Sequence, residues 1–315
     1  MREYIVRRLL YGLATLWGVS IIVFFLVRLI PGDAVYLLLG EEVRSKEQAD
    51  ALRHELGIDK PILNQYVDWT LGILRGNFGN SLYDGNPVFG RIMKRIPISL
   101  EIAILALMLG ILLAIPIGVI SAIRQDTGLD YVLRVLAILG LSLPSFWLGT
   151  ALLVMPSIWW HWVPPLGFAQ FTDDPVKNLQ QIAFPVAVLA IIQSAAVMRL
   201  ARSSLLEVMR QDYIRTAWAK GLRERVVIAR HGLKNAMIPV VTLWGVQMGN
   251  LLGGSVILES IFSIPGLGRL TLEAITIRDY TQVQGNILFF ALIFFTMNLL
   301  VDILYAWIDP RIKYT

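Results

Sequence analysis

The chain alternates apolar runs with polar connections, the runs lying at about 9–30, 98–123, 132–157, 182–206, 236–260 and 284–308. At 1.5 Å per residue each run is long enough to cross a hydrocarbon core of about 30 Å as an α-helix. The pattern therefore predicts an all-α membrane protein with six transmembrane helices. The first run is longer than the apolar core of a secretory signal and is expected to stay as an uncleaved helix, closed by Pro31-Gly32-Asp33. Prolines 116, 144, 156 and 185 interrupt the runs. A proline lacks an N–H and kinks a membrane helix, as a local adjustment or as a hinge for alternating access.

The long polar connection, 31–97, carries helix signals of its own. Ser45 with Gln48 fits a capping box and Gly57 a stop, giving a helix over 46–56 with Ala49, Leu52 and Leu56 as its stripe. Pro61 opens a second helix through Leu74, striped by Ile62, Tyr66, Trp69 and Ile73. Turns follow at 76–81 and 84–87. The expectation is a small helical cap on the extracytoplasmic side.

Charge sets the sides. Arg2, Arg7 and Arg8 mark the N-terminus as cytoplasmic, and Arg124 with Arg134 marks the second connection likewise. The third connection, 158–181, holds only Lys177 and is placed outside. The fourth carries nine Lys/Arg against three acids from Arg199 to Lys234, and Arg311 and Lys313 place the C-terminus inside. The resulting parse is an N-terminus and first helix (1–30), an extracytoplasmic segment (31–97), a five-helix core (98–308) containing a cytoplasmic loop at 207–234, and a tail (309–315).

Composition agrees: 56% of the 315 residues are hydrophobic and 16% charged, whereas soluble domains hold about 25% charged residues. The net charge of +5 is explained by loops facing an anionic leaflet, with no nucleic-acid partner implied. With no cysteine, neither a disulfide nor a thiolate site can be built. No P-loop, H-E-x-x-H, G-x-S-x-G or Rossmann fingerprint is present, and histidines 54, 161 and 231 are far apart. No catalytic or metal site and no cofactor of its own is expected. The rival classes, an ion-gradient-driven transporter and a membrane-embedded enzyme, need intramembrane carboxylates or a catalytic dyad. Asp302, four residues from Asn298 on one helix face, is the best support for the former, although a structural polar pair is the simpler reading.

The basic loop holds the sharpest candidate. Residues 212–222 read as a short helix presenting Tyr213, Ala217 and Leu222 to one side. Small Ala217 and Gly221 would let a partner's groove come close; the competing reading is a helix lying on anionic lipid. In the fifth run, Gly245, Gly249 and Gly253 suit close helix packing, while Gln247 and Asn250 are expected to border a solute pathway with Ser142 and Glu259. The methionines in the runs read as packing.

Several segments, in order and along the whole chain, resemble the B-type permease subunit of bacterial binding-protein-dependent ABC transporters of the dipeptide, oligopeptide, nickel and glutathione group. They are Tyr4-Ile-Val-Arg-Arg-Leu, Leu29-Ile-Pro-Gly-Asp33, Leu56-Gly-Ile-Asp-Lys-Pro61, Phe78-Gly-Asn-Ser81 and Ser142-Leu-Pro-Ser-Phe146, then Asp212-Tyr-Ile-Arg-Thr-Ala-Trp-Ala-Lys-Gly221, His231-Gly-Leu-Lys-Asn-Ala-Met-Ile-Pro239, Phe262-Ser-Ile-Pro-Gly-Leu-Gly268, Arg278-Asp-Tyr280 and Asp309-Pro-Arg311. The resemblance implies that residues 215–221 lie in the so-called EAA loop, whose helix docks on an ATPase. Tyr213, Arg215, Thr216, Ala217, Lys220, Gly221 and Leu222 would then couple to it. The chain departs from the general pattern, with Arg215 in place of Glu, Thr216 in place of Ala, Lys234 in place of Pro, and Thr281 in place of Pro after Arg-Asp-Tyr. The resemblance further implies a multi-pass subunit of the bacterial plasma membrane. Its partners would be a C-type permease, two cytoplasmic ATPases using Mg-ATP, and an extracytoplasmic solute-binding protein docking near Phe262, Pro265, Gly266, Arg278 and Asp279. Small peptides are the expected solute, with glutathione, nickel and short oligosaccharides as alternatives.

Overall fold

A computed structural model describes residues 2–29, 46–55 and 58–308. Among the described residues the regular elements are all helices, and the one other pairing is an isolated bridge between Asn80 and Pro87. The main helices are α1 (Arg2–Leu29), α2 (Lys46–Glu55), α3 (Ile62–Leu74), α4 (Val88–Ile123), α5 (Gly128–Ser142), α6 (Ser145–Trp160), α7 (Pro175–Met209), α8 (Asp212–Ala219), α9 (Leu233–Ile261), α10 (Leu267–Thr276) and α11 (Tyr280–Ile308). A short turn, Glu224–Val226, and a π-helical stretch, Val227–Gly232, lead into α9.

Among the described residues every expected apolar run lies on helix except at Leu143 and Pro144. Among the described residues α1, α4, α7 and α11 are each long and apolar enough to cross a membrane, and α5 with α6 form a further candidate bent by 101°. The third run is thus broken rather than kinked. Leu143 and Pro144 are both extended (ψ 126° and 137°), because a proline disfavours helical backbone at the residue before it. Pro116, Pro156 and Pro185 stay inside continuous helices. The outward faces are apolar: on α5, Val132, Val135, Leu136 and Ile138 are all more than half exposed, as suits contact with lipid.

The chain forms two compact units, one of Met1–Ser99 with Pro265–Leu299 and one of Leu100–Ile264 with Leu300–Ile308. In the first unit α3 lies on α1, with the Phe24 ring 5.2 Å from Tyr66 and 5.7 Å from Trp69. Two small cores complete it, Val23, Val27, Ala274 and Val283 in one, and Val88, Ile92, Leu267 and Leu270 in the other. The segment expected as a cap therefore shares its packing with membrane helices.

In the second unit the core is built of small residues, Ala114, Ala137, Ala195 and Ala201 with Val197, Met198 and Val240. Small side chains let membrane helices approach, since van der Waals contact rather than water exclusion holds them together. Gly118 shows how close: a Cβ there would lie 2.8 Å from the Met198 carbonyl oxygen. In the glycine series expected to pack α9, Gly253 has open space around it.

Candidate functional site

Helix α8 rests on an apolar floor of the second unit. Ile214 and Ala217, three residues apart, are buried with Val227, and Met209 and Leu222 pack against them. Small Ala217 therefore serves the chain's own packing, not the close approach of a partner, and Leu222 likewise turns inward. The helix stops at Ala219, short of the expected Leu222, because Gly221 takes a left-handed backbone (φ +73°). Gly221 has open space about it, so its backbone, not its small size, calls for glycine.

The opposite face is exposed: Tyr213, Arg215, Thr216, Trp218 and Lys220. Tyr213 is held in place, its hydroxyl accepting from Asn235 Nδ2 at 2.8 Å and donating to the His231 carbonyl at 3.3 Å. Arg215 lies 3.6 Å from Asp212 in a fully solvated pair. Trp218, 42% exposed, was not among the expected coupling residues; it lies four residues from buried Ile214, so the helical period alone would have turned it inward.

A second feature, also missed, stands where α7 approaches its end. Asp130 is fully buried and receives Arg202 in a two-pronged pair, Nε to Oδ1 at 2.8 Å and Nη2 to Oδ2 at 2.6 Å. The Ser121 hydroxyl and the Asp126 N–H also donate to it. One carboxylate thus ties the end of α4, the turn after it, α5 and α7, the helix that leads into α8. Asp130 and Arg202 are 72 positions apart, and the pattern around each gives no sign of the other.

The expected pathway residues do not gather into one site. Ser142 ends α5 and donates back to the Ile138 carbonyl at 2.8 Å. Gln247 accepts at its backbone carbonyl from Gln193 Nε2 at 3.4 Å. Asn250 lies on α9, with its side chain outside the described residues. Glu259 is fully buried and accepts from the Ser255 hydroxyl at 3.0 Å, which encloses it within this chain instead of lining an open path. Asn298 donates to its own helix at the Phe294 carbonyl, and the Asp302 side chain lies outside the described residues.

The expected docking set divides as well. Phe262 ends α9, half-buried in the wall of a pocket of about 310 Å³ with Leu153, Pro165 and Gln181. Pro265 accepts from Arg95 Nη1 at 3.0 Å, and Arg278 is partly exposed in a left-handed turn (φ +56°). Gly266 and Asp279 are buried, which corrects their assignment to an open docking surface. Asp279 instead caps α11, accepting from Gln282 N–H at 3.1 Å, and holds the Leu82 N–H and the Ser81 hydroxyl.

Long helices with apolar outward faces and a small-residue core define an integral membrane protein, and one short helix stands exposed on a fixed apolar floor. Residues 114–314 match the family described as binding-protein-dependent transport system inner membrane component, and residues 1–103 match its N-terminal companion. A Brucella abortus protein, named as a permease of a peptide transport system, is 38% identical over the full length of both chains. The dipeptide transport system permease protein DppB of Escherichia coli K12 is 37% identical, covering 100% of this chain and 99% of that one. Among solved structures, the MetNI methionine ABC transporter in an inward-facing conformation matches with a TM-score of 0.57 at 14% identity, over 70% of this chain and 96% of that chain. An amino acid ABC transporter matches at 0.53 and 16%, over 71% and 94%.

The chain belongs to the binding-protein-dependent transport system inner membrane component family. It is a permease with the ABC-importer fold, multi-pass in the inner membrane, and a transport subunit rather than an enzyme. Membership implies an ATPase, a binding protein and a second permease as partners.

Proposed function

We propose that this chain forms one half of the membrane pathway of an ATP-driven importer of small peptides, paired with a C-type permease, two cytoplasmic ATPases and an extracytoplasmic binding protein. The observation that carries the reading is α8, whose Ile214 and Ala217 are locked into the chain while Arg215, Trp218 and Lys220 stay exposed. A helix fixed on one face and open on the other passes on a push from a partner instead of absorbing it. Peptide as the solute is supported by the names of the full-length relatives. Mg-ATP binds and is hydrolysed in the ATPases, and this chain turns their closure into access by rigid-body rocking. On this reading α8 is cytoplasmic, and the turn around Arg278 faces the binding protein.

The test is ATP hydrolysis and dipeptide uptake by the purified assembly in lipid, with and without its loaded binding protein. Both rise with the binding protein and a dipeptide. Replacing Trp218 and Arg215 together with Ala leaves the chain folded, because both are exposed, and cuts stimulated uptake at least tenfold, the effect of losing about 1.4 kcal/mol at a docking contact. Uptake unchanged by that pair, or no co-purifying ATPase, would falsify the coupling role.

A further inference from the structure

Helix α3 carries two apolar faces, and only one is used by the protein. Tyr66, Trp69 and Ile73 turn toward α1, whereas Leu63, Val67, Leu71 and Leu74, at helical spacing, are 70%, 51%, 44% and 78% exposed. This second face continues the lipid-facing surface of α1, where Ile22, Leu26 and Leu29 are 57%, 56% and 76% exposed. Beside them Phe25 of α1, 37% exposed, stacks 6.4 Å from Tyr66 of α3. A helix with an apolar stripe beside the end of a membrane span lies in the plane of the interface.

A pocket of about 270 Å³ opens beside it, lined among others by Arg28, Lys60, Asp68, Trp69 and Gln284. Arg28 sits in the last turn of α1. Its guanidinium lies 3.5 Å over the Phe24 ring and makes two hydrogen bonds, to the Phe24 carbonyl and to Gln65 Oε1, both at 2.9 Å. Both acceptors are uncharged, and the group has five N–H donors, so donors remain. Lys60 pairs with Asp68 at 2.9 Å. Two cations against one carboxylate leave the lining one positive charge in excess. In the wall, the Trp69 indole nitrogen and the Gln284 amide nitrogen are buried without a hydrogen-bond partner.

We infer that α3 lies in the headgroup layer and that the Arg28 pocket binds the phosphate of an anionic phospholipid whose tails run along the exposed α3 and α1 faces. A phosphodiester matches the single excess charge and the planar donor fork of arginine. Phosphatidylglycerol suits it better than phosphatidylcholine, because a choline would bring a second cation beside Lys60. This inference rests on the membrane placement of the family and is independent of which solute is carried.

The assembly, purified through this chain, is to be examined by native mass spectrometry and thermal shift with phosphatidylglycerol, phosphatidylcholine or inorganic phosphate added. One phosphatidylglycerol is retained and raises the melting temperature, while the other two do not. Arg28→Gln weakens that binding roughly tenfold and Lys60→Gln by less, as for one charge-assisted contact and one more exposed. The chain has no cysteine, so Leu71→Cys gives its single site for a spin label, which is expected to be accessible to oxygen and shielded from a nickel chelate. Equal stabilisation by phosphatidylcholine or by inorganic phosphate overturns the lipid assignment, as does binding unchanged in both charge variants. Should Arg28→Gln fail to fold, Lys60→Gln and the label decide. A label open to the chelate, or closed to both probes by a protein neighbour, refutes the interfacial position.

Discussion

Asp130 and Asp279 are carboxylates of equal burial that the protein keeps by different means. Asp130, fully buried, is held by a guanidinium, a hydroxyl and one backbone N–H. Asp279, 1% exposed, is held by a hydroxyl and the N–H groups of Leu82 and Gln282, with no ion pair among the described residues. One charge is balanced by a cation from a helix 72 positions away in sequence, the other by the positive end of the helix it starts. The first arrangement ties three helices to one carboxylate; the second fixes a helix start and the loop at Ser81 and Leu82. The difference also decides which substitutions each site tolerates.

Asparagine is the sharpest discriminator. At Asp130 it keeps the shape but leaves Arg202 buried without its counter-charge, a loss of about 3–5 kcal/mol. Asp130→Asn should therefore lower the melting temperature nearly as far as Asp130→Ala, and Asp130→Ala combined with Arg202→Met should recover most of the loss. An Asn variant that melts like the native protein would show that the pair carries no such weight.

At Asp279 the same change should be mild. Asparagine still accepts from Gln282 and Leu82 and can donate to Ser81, so Asp279→Asn should cost about 1 kcal/mol, while Asp279→Ala loses the cap and strands the donors, about 2–3 kcal/mol in all. Thermal melts of the two variants side by side check the order. Equal loss in both would mean that the charge itself matters at Asp279 and would dissolve the contrast with Asp130.

The serines sharpen it further. Ser81 supplies one of three bonds to Asp279, and Ser121 one of four to Asp130, where the guanidinium already dominates. Ser81→Ala is expected to cost about 1.5 kcal/mol and Ser121→Ala about 0.5 kcal/mol. A double-mutant cycle between Ser121→Ala and Arg202→Met reads out whether the hydroxyl and guanidinium act independently.

How far this was legible from sequence follows from the range of each interaction. The helices were readable because length and apolarity are local properties. Pro144 was visible, but whether a proline kinks or breaks a helix depends on neighbours, and at Pro144 the chain turns by 101°. Asp279 carried a readable signal, since Asp with Gln three residues later is a capping pair, yet its position beside an outer loop drew it toward docking. Ala217 was ambiguous in kind: a small residue suits a partner's groove and the chain's own floor equally. The Asp130–Arg202 pair lay beyond reach, because nothing local to either residue names the other. The same limit hid the enclosure of Glu259.

The weakest expected effect comes from the same chemistry in water. His54 Nδ1 lies 2.7 Å from Asp59 Oδ2, with side chains 84% and 40% exposed. The hydrogen bond from His54 holds the Asp59 carboxyl below its ordinary value. A lowered carboxylate adds stability above its unfolded pKa, about 3.9, and loses it as pH falls through the lower folded value. Above that value the contact is present but screened by solvent, so His54→Gln should lower the melting temperature at pH 7 only slightly. Below about pH 4 that small separation should close. A neutral-pH loss approaching that of Asp130→Asn would mean that an exposed carboxylate contact costs as much to break as a buried one, and that burial is not what makes Asp130 costly to change.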